Sequence, residues 1–461
     1  MSSEDKKLLT GFESVFRGAY ESGAYCSVVD KRLYAKNPLF KNDNLNVIVL
    51  DDEKTVLSYA FGLTLSGKRT LCFLSSIPFD LAVQYGYSGI NGALVIVYLE
   101  DNDCLEYDSR PFFATCNYPI FEPSCPQELK RFVKISFNFS EKYDVPTVIR
   151  VDKHLLDSLE SIVLGEPKSI QDKPYKKDSS KYVFIPSTIR LCSEDIATRN
   201  ERLSKDCEDF PINVCTEGKG KIGVIASGQI AKSVLEVMEG ASVFSLGMSN
   251  PLPIEKIKSF AKSVQKLYVI EEHPFIENIL RKNRIECEGE NLFPRSGRRT
   301  VSDIVTRILK KDIFTGESNL GVRTPDFCVD CGLVPVCLAL KKKKIPVFTD
   351  NGCGVFAGCF LGASEVGLLS ALPTATAFSR STECVCLLTQ SEFASEINTI
   401  LQLFYELPTT VVAVDNTDYQ RFLPVLKDKT IEINYEDFAK IERFERKIYF
   451  VRVDKVCKYE S

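Results

Sequence analysis

The first 152 residues alternate short apolar runs with amphipathic stretches of helical length. We predict that the apolar runs are strands, at Asn46–Asp51, Arg69–Leu74, Ala93–Leu99 and Pro146–Val151. Helices are predicted between them, at Glu53–Ser66, Asp80–Tyr87 and Gln127–Lys142. Apolar strands without polar alternation, separated by helices, are typical of a parallel sheet that is covered on both faces. The pattern therefore predicts an α/β domain over residues 1–152.

Two more units follow the same pattern. In residues 220–300 we predict strands at Lys221–Ala226, Ser242–Leu246 and Lys266–Ile270, with helices at Gln229–Met238 and Pro253–Val264. In residues 326–461 we predict strands at Ile345–Thr349, Cys384–Leu388 and Thr410–Val414, with helices at Leu333–Lys342 and Glu392–Tyr405. Polar connectors are expected at 153–219 and 301–325. The whole chain is predicted to be a multi-domain α/β protein.

Composition narrows the class of protein. The chain has 461 residues, of which 44% are apolar and 26% charged, and its net charge is -4. These values are ordinary for a soluble protein of two to four domains, and they do not favour a nucleic-acid partner. The N-terminus has no apolar signal, and the apolar runs are far shorter than the ~20 residues of a membrane span. We expect a cytosolic protein with no membrane partner, in which the 17 cysteines form no disulfides.

Six short segments carry a family resemblance. They are Asp51–Leu57 and Phe121–Glu128 in the first unit, Leu246–Pro253 and Ile270–Glu277 in the second, and Cys328–Cys331 and Asp350–Cys353 in the third. In this order they resemble, in a truncated and divergent form, the thiamine-diphosphate-binding core of the α subunits of indolepyruvate ferredoxin oxidoreductases, which belong to the 2-oxoacid:ferredoxin oxidoreductase family.

The resemblance implies a specific architecture and activity. Residues 1–152 would be a pyrimidine-binding-type domain and residues 326–461 a diphosphate-binding-type domain, both thiamine-diphosphate-binding-type parallel-sheet domains. They would flank a smaller transketolase C-terminal-like α/β domain at 220–300. The implied reaction is oxidative decarboxylation of aryl 2-oxo acids to acyl-CoA. It would need a small β subunit and a separate ferredoxin-type carrier, in a homodimer or heterotetramer.

Glu53 is the catalytic candidate. By the resemblance it is the carboxylate near N1′ of the aminopyrimidine, which shifts that ring to its reactive imino form. It follows a predicted strand, at the sheet edge where ligands bind in open α/β folds. The alternative is a surface glutamate in the first turn of a helix, where the helix dipole favours a negative charge.

The diphosphate site is altered. The resemblance assigns cofactor binding to Asp350, Gly352, Cys353, Gln390, Ser391 and Asn416, with Gln390 and Asn416 as Mg²⁺ ligands. Gln390 replaces the family's aspartate, and a neutral amide attracts a cation less than a carboxylate does. A glycine-rich segment of the family is replaced by Ala371–Ala377, whose side chains would crowd a diphosphate.

Loops on both sides of the expected cleft also depart from the family, at Gly23–Ser27, Ser75–Asp80 and Asp101–Cys104. Two hypotheses therefore stay open. One is an enzyme that uses thiamine diphosphate and Mg²⁺. The other is a degenerate homologue that keeps the fold and acts as a structural or regulatory subunit.

Cysteines Cys328, Cys331, Cys337, Cys353 and Cys359 lie close together in sequence. They are interpreted as motif cysteines and buried thiols, with a four-cysteine metal site as the alternative. The chain lacks the family's terminal cysteine runs, so we expect no iron–sulfur cluster in it. A Ser-His-Asp hydrolase is disfavoured because the only histidines are His154 and His273, and neither follows a nucleophile elbow.

Overall fold

The computed structural model describes residues 6–40, 45–100, 107–175, 177–219, 221–293, 299–310, 331–349, 353–354, 366–367, 371–389, 393, 399–401, 409–414, 426 and 429–453. The chain divides into two compact units, Met1–Glu317 and Ser318–Ser461. Among the helices of the described ranges, none is both long and apolar enough to cross a bilayer.

The strands of the first unit are β1 (Lys6–Thr10), β2 (Cys26–Asp30), β3 (Val47–Leu50), β4 (Arg69–Leu74), β5 (Ala93–Glu100), β6 (Ile120–Phe121), β7 (Thr147–Asp152), β8 (Leu159–Val163), β9 (Val214–Thr216), β10 (Ile222–Ser227), β11 (Ser242–Leu246), β12 (Met248–Asn250) and β13 (Lys266–Ile270). Its helices are α1 (Gly11–Glu21), α2 (Lys31–Lys36), α3 (Glu53–Leu65), α4 (Phe79–Ser88), α5 (Arg110–Thr115), α6 (Pro126–Tyr143), α7 (Lys153–Asp157), α8 (Ser179–Tyr182), α9 (Pro186–Glu208), α10 (Gly228–Val237), α11 (Ile254–Ser263), α12 (Phe275–Lys282) and α13 (Val301–Arg307). Short 3₁₀ helices occupy Pro38–Phe40 and Glu290–Leu292.

The largest sheet has seven strands in the order β12-β6-β7-β5-β4-β2-β3. All neighbours are parallel except β12, which is antiparallel to β6. Strands β4 and β5 are almost entirely buried, as expected of parallel strands covered on both faces. The four strands predicted from the first 152 residues are therefore confirmed as β3, β4, β5 and β7.

Strand β2 was not predicted. It is buried at all five positions and pairs with both β3 and β4. The expectation that Gly23–Ser27 is a cleft loop is therefore wrong for Cys26 and Ser27, which begin this strand. The segment is too short and too interrupted by polar residues for periodicity to separate a strand from a loop.

A second, four-stranded sheet has the order β13-β10-β11-β9, with β9 antiparallel at one edge. Adjacent residues of β10 point to opposite faces, so Val224 packs in the core beneath α10 and α13, and Ile225 packs beneath α11 and α12. After β11 the chain crosses to the first sheet as β12. The two sheets of this unit are thereby joined through backbone pairing.

The polar connector at 153–219 contains ordered structure. Helix α9 is 23 residues long, and Arg199 Nη2 donates to the carbonyl of Gly86 at 3.0 Å. Before it, residues 164–175, here called the crossing segment, form neither helix nor strand and contact the first sheet domain. Asp172 in this segment forms an ion pair with Lys68, and Asn91 Nδ2 donates to the carbonyl of Pro174 at 3.2 Å.

The second unit contains a parallel six-stranded sheet. Its strands are β14 (Val347–Thr349), β15 (Val366–Gly367), β16 (Val385–Leu388), β17 (Thr410–Val414), β18 (Thr430–Asn434) and β19 (Ile448–Arg452), and its helices include α14 (Leu333–Lys343), α15 (Ala371–Phe378) and α16 (Tyr435–Lys440). The order is β15-β14-β16-β17-β19-β18. The three predicted strands are confirmed as β14, β16 and β17, whereas β18 and β19 were not predicted. Most of the helix predicted at Glu392–Tyr405 lies outside the described residues.

Candidate functional site

Glu53 is the first residue of α3 and follows the carboxyl end of β3. The preceding residue, Asp52, caps the helix, because its side chain accepts a hydrogen bond from the backbone N–H of Thr55 at 2.9 Å. Glu53 itself is turned inward and is only 3% exposed. Its location at the carboxyl edge of a parallel sheet is the location predicted from the sequence. The alternative of a surface glutamate is wrong, because the side chain of Glu53 is buried.

The carboxylate of Glu53 is held by two consecutive serines in the turn after β4. The backbone N–H groups of Ser75 and Ser76 donate to Oε1 at 2.8 Å and to Oε2 at 2.6 Å. The Ser75 hydroxyl donates to Oε1 at 2.5 Å, and the Ser76 hydroxyl donates to Oε2. A carboxylate has about four acceptor positions, so these four donors fill it.

Tyr98 forms a hydrogen bond to this turn. Its hydroxyl donates to the Ser75 carbonyl at 3.2 Å and is also hydrogen-bonded to the Tyr107 hydroxyl. Burial raises the pKa of Tyr98 well above its ordinary value. Tyr98 therefore stays neutral and can donate its hydroxyl proton to the Ser75 carbonyl.

Most of the other predicted cofactor residues lie outside the part of the chain that the structure describes. Asp350, Gly352, Gln390, Ser391 and Asn416 lie outside the described residues, as does the Asp101–Cys104 loop. Cys353 is described and is half-buried. Within the described part of the chain, no three His, Cys, Asp or Glu side chains are grouped so as to hold a metal ion.

The segment Ala371–Ala377 lies in helix α15. Ala371, Leu372, Ala375 and Thr376 are buried in it. Ala371, Leu372 and Ala375 pack in one hydrophobic core with strand residues such as Phe348. These side chains therefore serve the packing of the sheet.

A second polar centre was missed by the sequence reasoning. It lies where the carboxyl ends of β5, β6 and β7 in the first sheet meet those of β10 and β13 in the second. Arg110 is at its middle and is 2% exposed. Its guanidinium pairs with Asp108 at 2.9 Å and with Glu271 at 3.0 Å, and it donates to the His273 carbonyl at 2.9 Å. Arg110 thus ties the first sheet domain to the second.

A parallel set of contacts surrounds Arg150. Its Nε donates to Glu100 Oε2 at 2.9 Å, and its Nη1 donates to Glu122 Oε2 at 3.4 Å. The Ser227 hydroxyl, from the second sheet, also donates to Glu122 Oε2 at 2.7 Å. Glu122 Oε1 is buried and lies 3.8 Å from Arg110 Nη1, so Glu122 is in ion pairs with both arginines.

The pKa values of two buried acids of this centre, Glu122 and Glu271, are shifted in opposite directions. Burial alone would raise the pKa of Glu122, but Arg110 and Arg150 hold it below its ordinary value. Burial raises the pKa of Glu271 to about 7, although Arg110 opposes the rise. Glu271 is therefore the group of this centre that changes charge near neutral pH.

A partly open cavity of about 230 Å³ is lined by Glu100, Arg110, Glu122, Arg150, Ser227 and Glu271 among others. A signal for it was present in the sequence, since Glu122 and Glu271 both lie in the motifs that carry the family resemblance. Each motif by itself indicates only the family. The sequence does not show that two such segments, far apart in the chain, line the same cavity.

Comparisons with known proteins agree with the motifs. No family model matches the chain. Indolepyruvate oxidoreductase subunit IorA of Pyrococcus horikoshii is 26% identical over 403 residues, which cover 76% of this chain and 62% of that subunit. The subunit of the same name from Archaeoglobus fulgidus is 26% identical over 298 residues, 59% of this chain and 48% of its own length. The chain thus spans between about half and three-fifths of these two relatives.

Among solved structures, a 2-oxoglutarate:ferredoxin oxidoreductase from Magnetococcus marinus aligns with a TM-score of 0.53 and 12% identity. The alignment covers 67% of this chain and 66% of that one, and it supports the predicted fold class of several parallel-sheet domains. The predicted resemblance is confirmed: the chain is similar in sequence to indolepyruvate oxidoreductase subunit IorA, and its α/β fold is similar to that of the 2-oxoglutarate:ferredoxin oxidoreductase.

Proposed function

We propose that this chain is the thiamine-diphosphate-binding core of an oxidoreductase α subunit that acts on aryl 2-oxo acids such as indolepyruvate. The observation that carries the proposal is Glu53, a buried carboxylate fixed at the carboxyl edge of the first sheet. The reaction would be oxidative decarboxylation to an acyl-CoA. It would require a small β subunit and a ferredoxin-type electron carrier.

The pyrimidine end of the site fits the cofactor after one local change. All four acceptor positions of Glu53 are occupied by Ser75 and Ser76. The two backbone donors are fixed by the turn, but a serine hydroxyl leaves when its χ1 rotates. One carboxylate oxygen then becomes available to a ring N–H.

In the proposed site the protein's own residues bind, orient and hold a proton. When bound, thiamine diphosphate would supply the carbanion and the electron sink. Glu53 would hold the proton at N1′ of the aminopyrimidine, and the backbone N–H groups of Ser75 and Ser76 would keep its carboxylate in place. Gln390 and Asn416 would be the Mg²⁺ ligands at the diphosphate end.

A second candidate function is supported by the same four hydrogen bonds. If neither serine hydroxyl releases Glu53, the carboxylate is a structural cap of the turn. The chain would then be a non-catalytic homologue with a structural or regulatory role, as the replacement of the family's aspartate by Gln390 also favours.

Calorimetric titration of the full chain with thiamine diphosphate and MgCl₂ separates the two functions. Saturable heat that is lost in Glu53→Gln and kept in Glu201→Gln, an exposed glutamate on α9, supports the enzyme. The absence of heat at high micromolar cofactor supports the non-catalytic homologue. In the enzyme case, addition of the β subunit should give ferredoxin reduction that depends on indolepyruvate and coenzyme A.

The double variant Ser75→Ala, Ser76→Ala tests whether the serine hydroxyl groups compete with the cofactor for Glu53. It removes both hydroxyl donors and keeps both backbone donors. We expect tighter cofactor binding in this variant than in the unmodified chain, because no serine has to be displaced. Equal binding in both would show that the hydroxyl groups do not compete with the cofactor.

A further inference from the structure

Two exposed phenylalanines, here called the aromatic pair, lie in the first turns of neighbouring helices. Phe79 is the first residue of α4 and is 40% exposed. Phe112 is the third residue of α5 and is 45% exposed. Their rings meet edge to face, with the ring centroids 6.2 Å apart. The two rings therefore contact each other and still present a common apolar surface to solvent.

The aromatic pair lies at the same edge of the sheet as Glu53. Helices α4 and α5 follow β4 and β5, which are parallel neighbours, so their first turns lie at the carboxyl edge where ligands bind in open α/β folds. Ser76, which donates to Glu53, precedes Phe79 by three residues, so the Cα atoms of these two residues are at most about 11 Å apart.

A second connection runs through side chains. The ring of Phe112 contacts that of Tyr107 edge to face, with the centroids 6.5 Å apart. The Tyr107 hydroxyl is hydrogen-bonded to that of Tyr98, which also donates to the Ser75 carbonyl at 3.2 Å. Both members of the pair are thus linked to the turn that holds the Glu53 carboxylate.

The exposed area of the aromatic pair matches one aryl ring. An aromatic side chain buries ~150–250 Å², so exposed fractions of 40% and 45% leave roughly 130–210 Å² of the two residues open to solvent. A stable protein–protein interface buries ~800 Å² on each partner, which is several times more. The surface therefore suits a small aryl ligand better than a second copy of the chain.

Aromatic side chains also select ligands by their charge distribution. A ring has negative faces and a positive edge, so a third ring packs against the pair in an edge-to-face or offset-stacked arrangement. Each such contact strengthens binding by about two- to tenfold beyond the effect of buried area. An aliphatic chain gains from buried area alone. The aromatic pair therefore favours an aryl ligand over an aliphatic one of similar size.

We propose that Phe79 and Phe112 form the contact surface for the aryl ring of the 2-oxo acid substrate, and that they favour aryl over aliphatic 2-oxo acids. The inference rests on the proposed function for the identity of the ligand. The ring would lie on the aromatic pair, and the 2-oxo acid end would point towards Glu53.

The composition of the chain allows a direct binding assay. The chain contains no tryptophan, so light that excites only indole reports an added indole ring without a signal from the protein. Dilute indole-3-acetate is the probe, and the full chain is titrated into it. We expect a saturable change in the fluorescence of the probe. Phenylpyruvate should displace the probe at a concentration at which the aliphatic 4-methyl-2-oxopentanoate does not. No saturable change, or equal displacement by both acids, would overturn the proposal.

Variants locate the binding. The double variant Phe79→Ala, Phe112→Ala should weaken probe binding at least fivefold, and each single variant at least twofold. The matched control is Phe378→Ala in the second unit, because Phe378 is 38% exposed and also contacts another ring, that of Phe348, with the centroids 5.1 Å apart. This control should leave probe binding unchanged. Unchanged probe binding in the folded double variant, or in both single variants, would also overturn the proposal.

Calorimetry with thiamine diphosphate and MgCl₂ separates this inference from the proposed function. The double variant should bind the cofactor as the unmodified chain does, because neither phenylalanine contacts the carboxylate of Glu53 in the hydrogen bonds that fix it. Cofactor binding without probe binding would reject the aryl surface alone. Probe binding that depends on the aromatic pair, in a chain that binds no cofactor, would keep the aryl surface and reject catalysis.

Discussion

Ser76 donates both its backbone N–H and its hydroxyl to the same oxygen of Glu53, Oε2. Ser75 does the same for Oε1. A single carboxylate after β3 is thus bound by a two-residue turn after β4, although β2 lies between these two strands in the sheet. Because of these hydrogen bonds, we expect Glu53 to stabilise the fold in addition to its proposed catalytic role.

The first prediction concerns the stability of that turn. Glu53→Gln replaces one carboxylate oxygen by an NH₂ group, which would face the N–H and hydroxyl donors of one serine. We expect the free energy of unfolding to fall by about 1–3 kcal/mol, the cost of leaving buried polar groups unsatisfied. Urea unfolding followed by circular dichroism measures it. The exposed control Glu201→Gln should change stability by less than ~0.5 kcal/mol, and an equally small effect at Glu53 would contradict the observed contacts.

A second prediction concerns Glu21. This carboxylate is fully buried and pairs with Arg17, Lys130 and Lys134 at 2.8–2.9 Å. Glu21→Gln leaves these cations without their partner, so we expect a loss of about 3–5 kcal/mol at pH 7. The exposed pair Arg190–Glu194 is the control, since Glu194→Gln should cost no more than ~0.5 kcal/mol.

Glu21 should also contribute to the loss of folding stability at low pH. Burial would raise the pKa of Glu21, but hydrogen bonds from Lys134, Lys130 and Arg17 lower it to about 2. A carboxyl group with a lowered folded-state pKa contributes stability above its unfolded pKa, and the contribution is lost as the pH falls through the folded value. The stability gap between the unmodified chain and Glu21→Gln should therefore shrink from pH 4.5 towards pH 2. A gap that does not change over this range would contradict the pairing.

Glu271 should act in the opposite sense. Burial raises its pKa to about 7, and the groups that face it are Arg110, Asp108 and the backbone N–H groups of Ile276 and Glu277. Its favourable contribution is fully present below the unfolded pKa of 4.5 and is lost as the pH rises through about 7. We expect the stability of the unmodified chain relative to Glu271→Gln to fall between pH 5 and pH 8. Parallel pH profiles of the two proteins would show that Glu271 does not titrate in this range.

A matched pair of glycines tests the crossing segment at 164–175. Gly67 and Gly240 both have positive φ, +87° and +79°. A Cβ at Gly67 would lie 1.9 Å from the carbonyl oxygen of Lys173, whereas a Cβ at Gly240 would meet nothing within 4 Å. Gly240→Ala should cost about 1 kcal/mol from backbone strain alone.

Gly67→Ala should cost at least about 1 kcal/mol more, because the crossing segment has to move as well. Limited proteolysis near Lys168 and Lys173 should then be faster than in the unmodified chain and in Gly240→Ala. Equal stability and equal proteolysis of the two variants would mean that the segment does not press on Gly67.

Parts of the fold were predictable because their information is local. Strands β4, β5 and β10 are continuous apolar runs with helices on either side, and that pattern is read within about ten residues. Strands β2, β18 and β19 were missed, because polar residues interrupt the first two and β19 lies in a charged stretch. Their burial in a sheet depends on neighbours that are distant in sequence.

The candidate site divides in the same way. Glu53 was found from its motif, and its position at a strand end is as predicted, but its role in catalysis stays a prediction. The roles of Gln390, Asn416 and the other diphosphate-site residues also stay predictions. Nothing near Glu53 in the sequence indicates that Ser75 and Ser76 would fill its acceptor positions, since that contact joins the ends of β3 and β4, which β2 separates in the sheet.

The sequence by itself determined the α/β alternation, the order of the motifs and the identity of the acid at residue 53, because each depends on neighbouring residues. Only the tertiary structure decided which acids and arginines line one cavity. Arg110 meets Glu271 at 3.0 Å because the carboxyl edges of two sheets face each other, and such an arrangement follows from the packing of whole strands. Glu122 likewise meets Arg110 and Arg150 only once these strands are packed together.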